Sequence, residues 1–195
     1  MKAIIYLHGF NSSSRSEKAQ LTQRFFETTS QAFQLYIPQL PSEPKMAIKV
    51  LHELAEKLGR EAVAGFIGSS LGGYYSLFLH HYYSLPAVLI NPAFKPYELL
   101  NGYMGENMNP YTGEKYTVEA VHMQQLKSLE ESRSIRPNDL YLLTQIGDEI
   151  LDYREALLGL SGAQTWISSE GNHAFQSYQD VLPSILAFFE RRSCC

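Results

Sequence analysis

The sequence predicts an α/β fold: about six parallel strands with helices on both faces. Three observations point there. Short apolar runs such as Ala3–Leu7 and Ala87–Ile90 recur along the chain, the pattern of strands buried on both faces. Longer stretches of helical period separate them, as crossovers between parallel strands require. With 195 residues, 45% apolar and 18% charged, the chain can bury one ordinary core without disulfides or metals, so residues 1–195 are expected to form a single domain.

The elements follow in order. Ala3–Leu7 is the first strand, an apolar run too short for the core of a secretory signal. Gln34–Ile37 is the second and stops at Pro38, which cannot donate to a ladder. Val63–Ile67, Ala87–Ile90, Leu140–Ile146 and Gln164–Ser168 complete the set. Helices are predicted over Glu17–Thr29, Lys45–Leu58, Leu71–Tyr82, Tyr153–Leu158 and Tyr178–Arg191. Ser177, with Asp180 three residues on, gives the last helix a start like a capping box.

One stretch breaks the alternation. About 45 residues, Asn91 to Pro137, separate the fourth and fifth strands, far more than one crossover helix needs. The stretch is rich in Tyr, Met, Gly and Asn. It reads as a cap insertion at about residues 93–136, over the carboxyl ends of the strands. Two plain surface helices with a long loop are the alternative.

Charge narrows the function. Sixteen Lys and Arg against 20 Asp and Glu give a net charge of −4, which argues against nucleic acid, whose phosphates call for a basic stripe. No run reaches the 18 or so apolar residues of a membrane span, so no membrane insertion is expected. Cys194 and Cys195 are adjacent and terminal, so they cannot staple distant segments; they read as a reduced tail on a cytoplasmic protein. Nothing in the sequence sets the oligomeric state.

Chemistry concentrates at Gly68-Ser69-Ser70-Leu71-Gly72, directly after the third strand and opening a helix. This is the G-x-S-x-G nucleophile elbow: a strained strand-to-helix turn exposes the serine, and the flanking glycines let strand and helix approach. The frame selects Ser70, because Ser69 would be flanked by Ile67 and Leu71. A serine needs a base, and the base an orienting acid. Asp148 follows the fifth strand at its carboxyl end, with Glu149 and Asp152 as competitors, whereas Asp139 lies at the wrong end. His173, before the last helix, is the one histidine downstream of that acid. His52, His80 and His81 fall on helices and read as core or surface residues, and His122 falls in the insertion. Two N–H groups must hold the oxyanion: Leu71 from the elbow, and Phe10 from the loop after the first strand, with Asn11 second. His8 reads as support for that loop.

In this order, His8-Gly9-Phe10, Gly68-x-Ser70-x-Gly72, Asp148 and His173 resemble the α/β-hydrolase fold over nearly the whole chain. More closely, Ile90-Asn91-Pro92-Ala93 and Gly147-Asp148-Glu149-Ile150-Leu151-Asp152-Tyr153, with the opening and the elbow, resemble the small bacterial YqiA-type esterases. The resemblance implies a compact α/β-hydrolase fold, from whose full-length form this chain departs in having six expected parallel strands rather than eight. It also implies a cytoplasmic hydrolase of acyl esters or thioesters, with Ser70, Asp148 and His173 as triad. No metal or cofactor is called for. Asn11, Tyr103, Met104 and Met108 are the candidate substrate contacts, the aromatic and Met content suiting an apolar acyl group. Two readings stay open: hydrolysis of amide or carbon–carbon bonds, and a ligand-binding or signalling protein on a hydrolase scaffold.

Overall fold

The computed structural model describes residues 1–131 and 134–193; Cys194 and Cys195 lie outside the described residues. In chain order the elements are β1 (Lys2–Leu7), α1 (Glu17–Thr29), β2 (Phe33–Tyr36), α2 (Pro44–Leu58), β3 (Val63–Ser69), α3 (Leu71–Tyr83) and β4 (Ala87–Ile90). Then come α4 (Pro96–Leu99), β5 (Gly105–Met108), β6 (Lys115–Val118), α5 (Ala120–Glu131), β7 (Leu140–Gln145), α6 (Tyr153–Gly159), β8 (Gln164–Ser168) and α7 (Leu182–Ser193).

Six strands form one parallel sheet in the order β2-β1-β3-β4-β7-β8. Alternation along each inner strand divides the core. Ile5 and Leu7 of β1 face a layer with Leu51 of α2, Tyr74 and Leu77 of α3, Leu126 of α5 and Ala156 of α6. Ile4 and Tyr6 face the opposite layer, built from Phe26 of α1 and Ile185 and Phe188 of α7. Both faces are therefore covered, which is why β3 and β4 are buried at every position. Chain order reverses between β1 and β3, and such a switch point opens a crevice at the carboxyl ends of the strands.

The stretch between β4 and β7 contains α4, a 3₁₀ turn at Leu100–Tyr103, the antiparallel hairpin β5–β6, and α5. The hairpin leaves no signal in the sequence, because Gly-Glu-Asn-Met and Lys-Tyr-Thr-Val are four residues each and carry little apolar alternation. The last helix also begins differently from expectation. Residues Tyr178–Val181 form a 3₁₀ turn, and Ser177 lies at φ 57° with no side-chain cap bond. Ser177 contributes its carbonyl to the Asp180 N–H (3.0 Å), so the capping box is not formed.

Candidate active site

Ser70 turns the chain alone. β3 ends at Ser69 and α3 begins at Leu71, leaving Ser70 at φ 56°, ψ −121°, a sterically costly conformation for a residue with a side chain. Surrounding bonds hold it there: its N–H donates to the Ile90 carbonyl (3.0 Å), and its carbonyl accepts from Gly73 (2.9 Å) and Ala93 (3.0 Å). The flanking glycines are required for different reasons. A Cβ on Gly68 would run into the Gly72 carbonyl, and one on Gly72 into the Leu7 carbonyl at the end of β1. Gly72 therefore brings the helix against the strand that precedes Phe10. Ser69 is buried in β3.

The loop after β8 carries His173 to this serine. Its Nε2 lies 3.1 Å from Ser70 Oγ, and its Nδ1 donates to Asp148 Oδ2 (2.8 Å) and Oδ1 (3.0 Å). The Asp148 side chain is 2% exposed, and its Oδ1 also accepts the N–H groups of Ile150 and Leu151, both at 2.9 Å. With Nδ1–H committed to the carboxylate, Nε2 presents its lone pair to the serine hydroxyl. The competing acids have other partners. Asp152 caps α6 through the Arg154 N–H (3.0 Å) and pairs with that guanidinium (2.7 Å), which lowers its carboxyl below the usual range. Glu149 accepts the His173 backbone N–H (2.9 Å), which lowers its carboxyl in the same direction.

Two buried amides, for which the sequence alone suggests no role, hold the histidine loop. Gln145, the last residue of β7, accepts the N–H groups of Asn172 (3.0 Å) and Gln176 (2.9 Å) at Oε1, and donates from Nε2 to the Gln176 carbonyl (2.8 Å). Asn91, just past β4, donates to the Asn172 carbonyl (3.0 Å) and accepts the Gln145 N–H (3.0 Å). Each is 2% exposed. The available signal was a polar amide at the carboxyl end of an otherwise apolar strand.

The loop after β1 supplies the other wall. Gly9 lets the loop approach the serine closely: a Cβ there would lie 3.1 Å from Ser70 Cβ, tighter than ordinary contact. Among the described residues, neither the Phe10 nor the Leu71 N–H donates within the protein, so both remain available to an oxyanion. His8 is structural: it donates from Nδ1 to the Gly9 carbonyl (3.0 Å) and accepts the Leu40 N–H at Nε2 (3.0 Å), and burial lowers its pKa.

The hairpin reaches this loop. Tyr116 donates its hydroxyl to Asn11 Oδ1 (2.6 Å), and Asn109 Nδ2 donates to the Ser12 carbonyl (3.0 Å). Phe10 meets Tyr103 and Tyr116 edge-on, with ring centres 5.2 and 6.1 Å apart. Of the expected substrate contacts, Asn11 lines the cavity beside Ser70 and Tyr103 packs on Phe10. Met104 and Met108 are exposed and do not line that cavity; Met108 falls on the outward side of the β5 alternation.

The cavity has a volume of about 360 Å³ and lies between Ser70, His173 and the first turn of α1, with Tyr6, Ser16, Lys18 and Tyr111 in its walls. Lys18 Nζ donates to the Ala174 carbonyl (2.9 Å); burial pushes its ammonium down to about 8, against the opposing pull of Asp148 and Glu17. Among the described residues, no cluster of three or more His, Cys, Asp or Glu is placed to hold a metal ion. Among the same described residues, no helix is long and apolar enough to cross a membrane.

Comparison with known proteins places this geometry in context. The model of a family described as "Uncharacterised protein family (UPF0227)" matches residues 3–190. Est1E from Butyrivibrio proteoclasticus, solved with ferulic acid bound, superposes with a TM-score of 0.75 at 11% identity, covering 100% of this chain and 90% of that one. An esterase domain of a Rhodothermus marinus protein gives 0.71 at 17% identity, over 97% of this chain and 87% of that one. The ydeN gene product of B. subtilis gives 0.66 at 14% identity, over 97% and 100%. At these identities the likeness establishes the fold, which is that of the α/β hydrolases.

Proposed function

The chain belongs to the UPF0227 family, and from that premise and the geometry around Ser70 we propose that it is a serine hydrolase of acyl esters or thioesters. One observation carries the reading: Ser70 Oγ, the His173 ring and the buried Asp148 carboxylate lie in a continuous hydrogen-bonded line. A structural neighbour described as an esterase domain supports it.

In the proposed reaction Ser70 Oγ attacks the acyl carbon while His173 Nε2 takes the hydroxyl proton. The Phe10 and Leu71 N–H groups hold the oxyanion. As the tetrahedral species collapses, His173 returns the proton to the leaving oxygen or sulfur. Water, deprotonated by the same ring, then releases the acid and restores Ser70. Asp148 holds the ring in the Nδ1–H tautomer and offsets its transient charge. The scheme uses side chains and water and assigns no cofactor. Within it, residues 93–136 act as a cap on a single-domain enzyme, and a reducing cytoplasm suits the two adjacent cysteines.

A fluorophosphonate should label Ser70 covalently. Ser70→Ala should abolish both labelling and ester hydrolysis, whereas Ser69→Ala should keep most of each. An unlabelled but folded protein would favour the ligand-binding alternative.

A further inference from the structure

We infer that the cavity beside Ser70 is a subsite for an anionic group, a carboxylate or a phosphate, on the molecule the enzyme acts on. The inference rests on the hydrolase reading for its purpose, and on three features of the cavity for its chemistry. The first is the amino end of α1, a 13-residue helix whose Ser16, Glu17 and Lys18 all line the cavity. Ser16 makes no side-chain cap bond, so the first-turn N–H groups keep no capping acceptor; Glu17 in the same turn is exposed and offsets the helix dipole only in part.

The second feature is Lys18. It is half-buried and lines the cavity as its one cationic side chain apart from the histidines, and of its three protons one goes to the Ala174 carbonyl. The third is Tyr6, which is 1% exposed and also lines the cavity. Its hydroxyl makes no hydrogen bond among the described residues: the neighbouring phenol, Tyr178, is bonded to Thr22 instead (2.9 Å), and a buried hydroxyl is seldom left so unless something else meets it. Helix end, ammonium and phenol all offer donors, and a compact oxyanion accepts from several at once.

Two carboxylates also border the cavity. Glu17 and Glu149 are both exposed, where water and salt screen them, and Glu149 already accepts the His173 N–H. The apolar alternative fares worse: Met104 and Met108 lie elsewhere, while Ser12, Ser16 and Tyr111 add hydroxyls to the walls.

Calorimetric titration with inorganic phosphate and with glutarate reads the subsite without any turnover, and the anion that binds identifies the source of the charge. A bound anion should also slow fluorophosphonate labelling of Ser70, which locates it. Lys18→Gln should raise the dissociation constant of that anion by about tenfold or more, since a charge-assisted bond is lost. Tyr6→Phe, which keeps the packed ring, should raise it several-fold with an unchanged circular dichroism spectrum. Absence of saturable binding by both anions, or a dissociation constant that Lys18→Gln leaves unchanged, would overturn the subsite. Labelling reports on the triad and calorimetry on the subsite, so either reading can fail while the other stands.

Discussion

Asp148 and Asp152 are the same residue type four positions apart, and their surroundings give them opposite work. The first is desolvated against an imidazole and two backbone N–H groups; the second is half-exposed, capping a short helix. Asp148→Asn should therefore leave a folded protein with kcat lower by a factor on the order of 10⁴, the loss that a wrong imidazole tautomer causes in a serine-protease triad. Asp152→Asn should lose little activity, and little stability too, because Asn caps a helix about as well as Asp. Kinetics and circular dichroism on both variants check the pair, and an inactive Asp152→Asn would displace the assigned acid. At this scale the sequence was most legible where chemistry fixes spacing: the elbow singled out Ser70, and strand ends singled out Asp148 and His173. The roles of Gln145 and Asn91 were illegible, because their importance lies in partners up to 82 residues away.

Elements whose apolar pattern is unambiguous were placed within a residue or two. Ala87–Ile90, Gln164–Ser168 and Glu17–Thr29 coincide with β4, β8 and α1. The β5–β6 hairpin was not foreseen, since short strands with one wet face leave no periodic trace. Its contacts with the Phe10 loop give it a role that can be measured. Tyr116→Phe removes one hydrogen bond to Asn11, a change of about 0.5–1.5 kcal/mol in local stability. Because Asn11 adjoins the proposed oxyanion donor, this should lower kcat more than it raises KM. A pure KM effect would instead make Tyr116 a ligand contact.

For the molecule as a whole, a loss of stability in acid is expected from histidines that burial holds neutral, of which His8 and His80 are built alike, while burial also lowers His52. His8 spans Gly9 and Leu40; His80, fully buried, donates from Nδ1 to the Leu85 carbonyl (2.7 Å) and accepts the Arg136 N–H at Nε2 (3.3 Å). Burial, the larger influence on each, lowers both pKa values. The unfolded chain then binds protons from about pH 6.5 downward that the folded one resists, so stability is present above that pH and drains away below it. Denaturant midpoints at pH 7.5 and pH 5.5 should show the decline. His80→Gln, which can keep a donor and an acceptor without titrating, should flatten it; an equally steep decline in that variant would clear His80 of the role. The clamp on the histidine loop has a different consequence. Edge strands such as β8 fray first during local opening. The polar ties of residues 172–176, however, run to the end of β4, to the last residue of β7, to Glu149 and to Lys18. His173 follows the edge strand in sequence but is moored to the interior of the sheet, so transient fraying at the margin can occur without unseating the base.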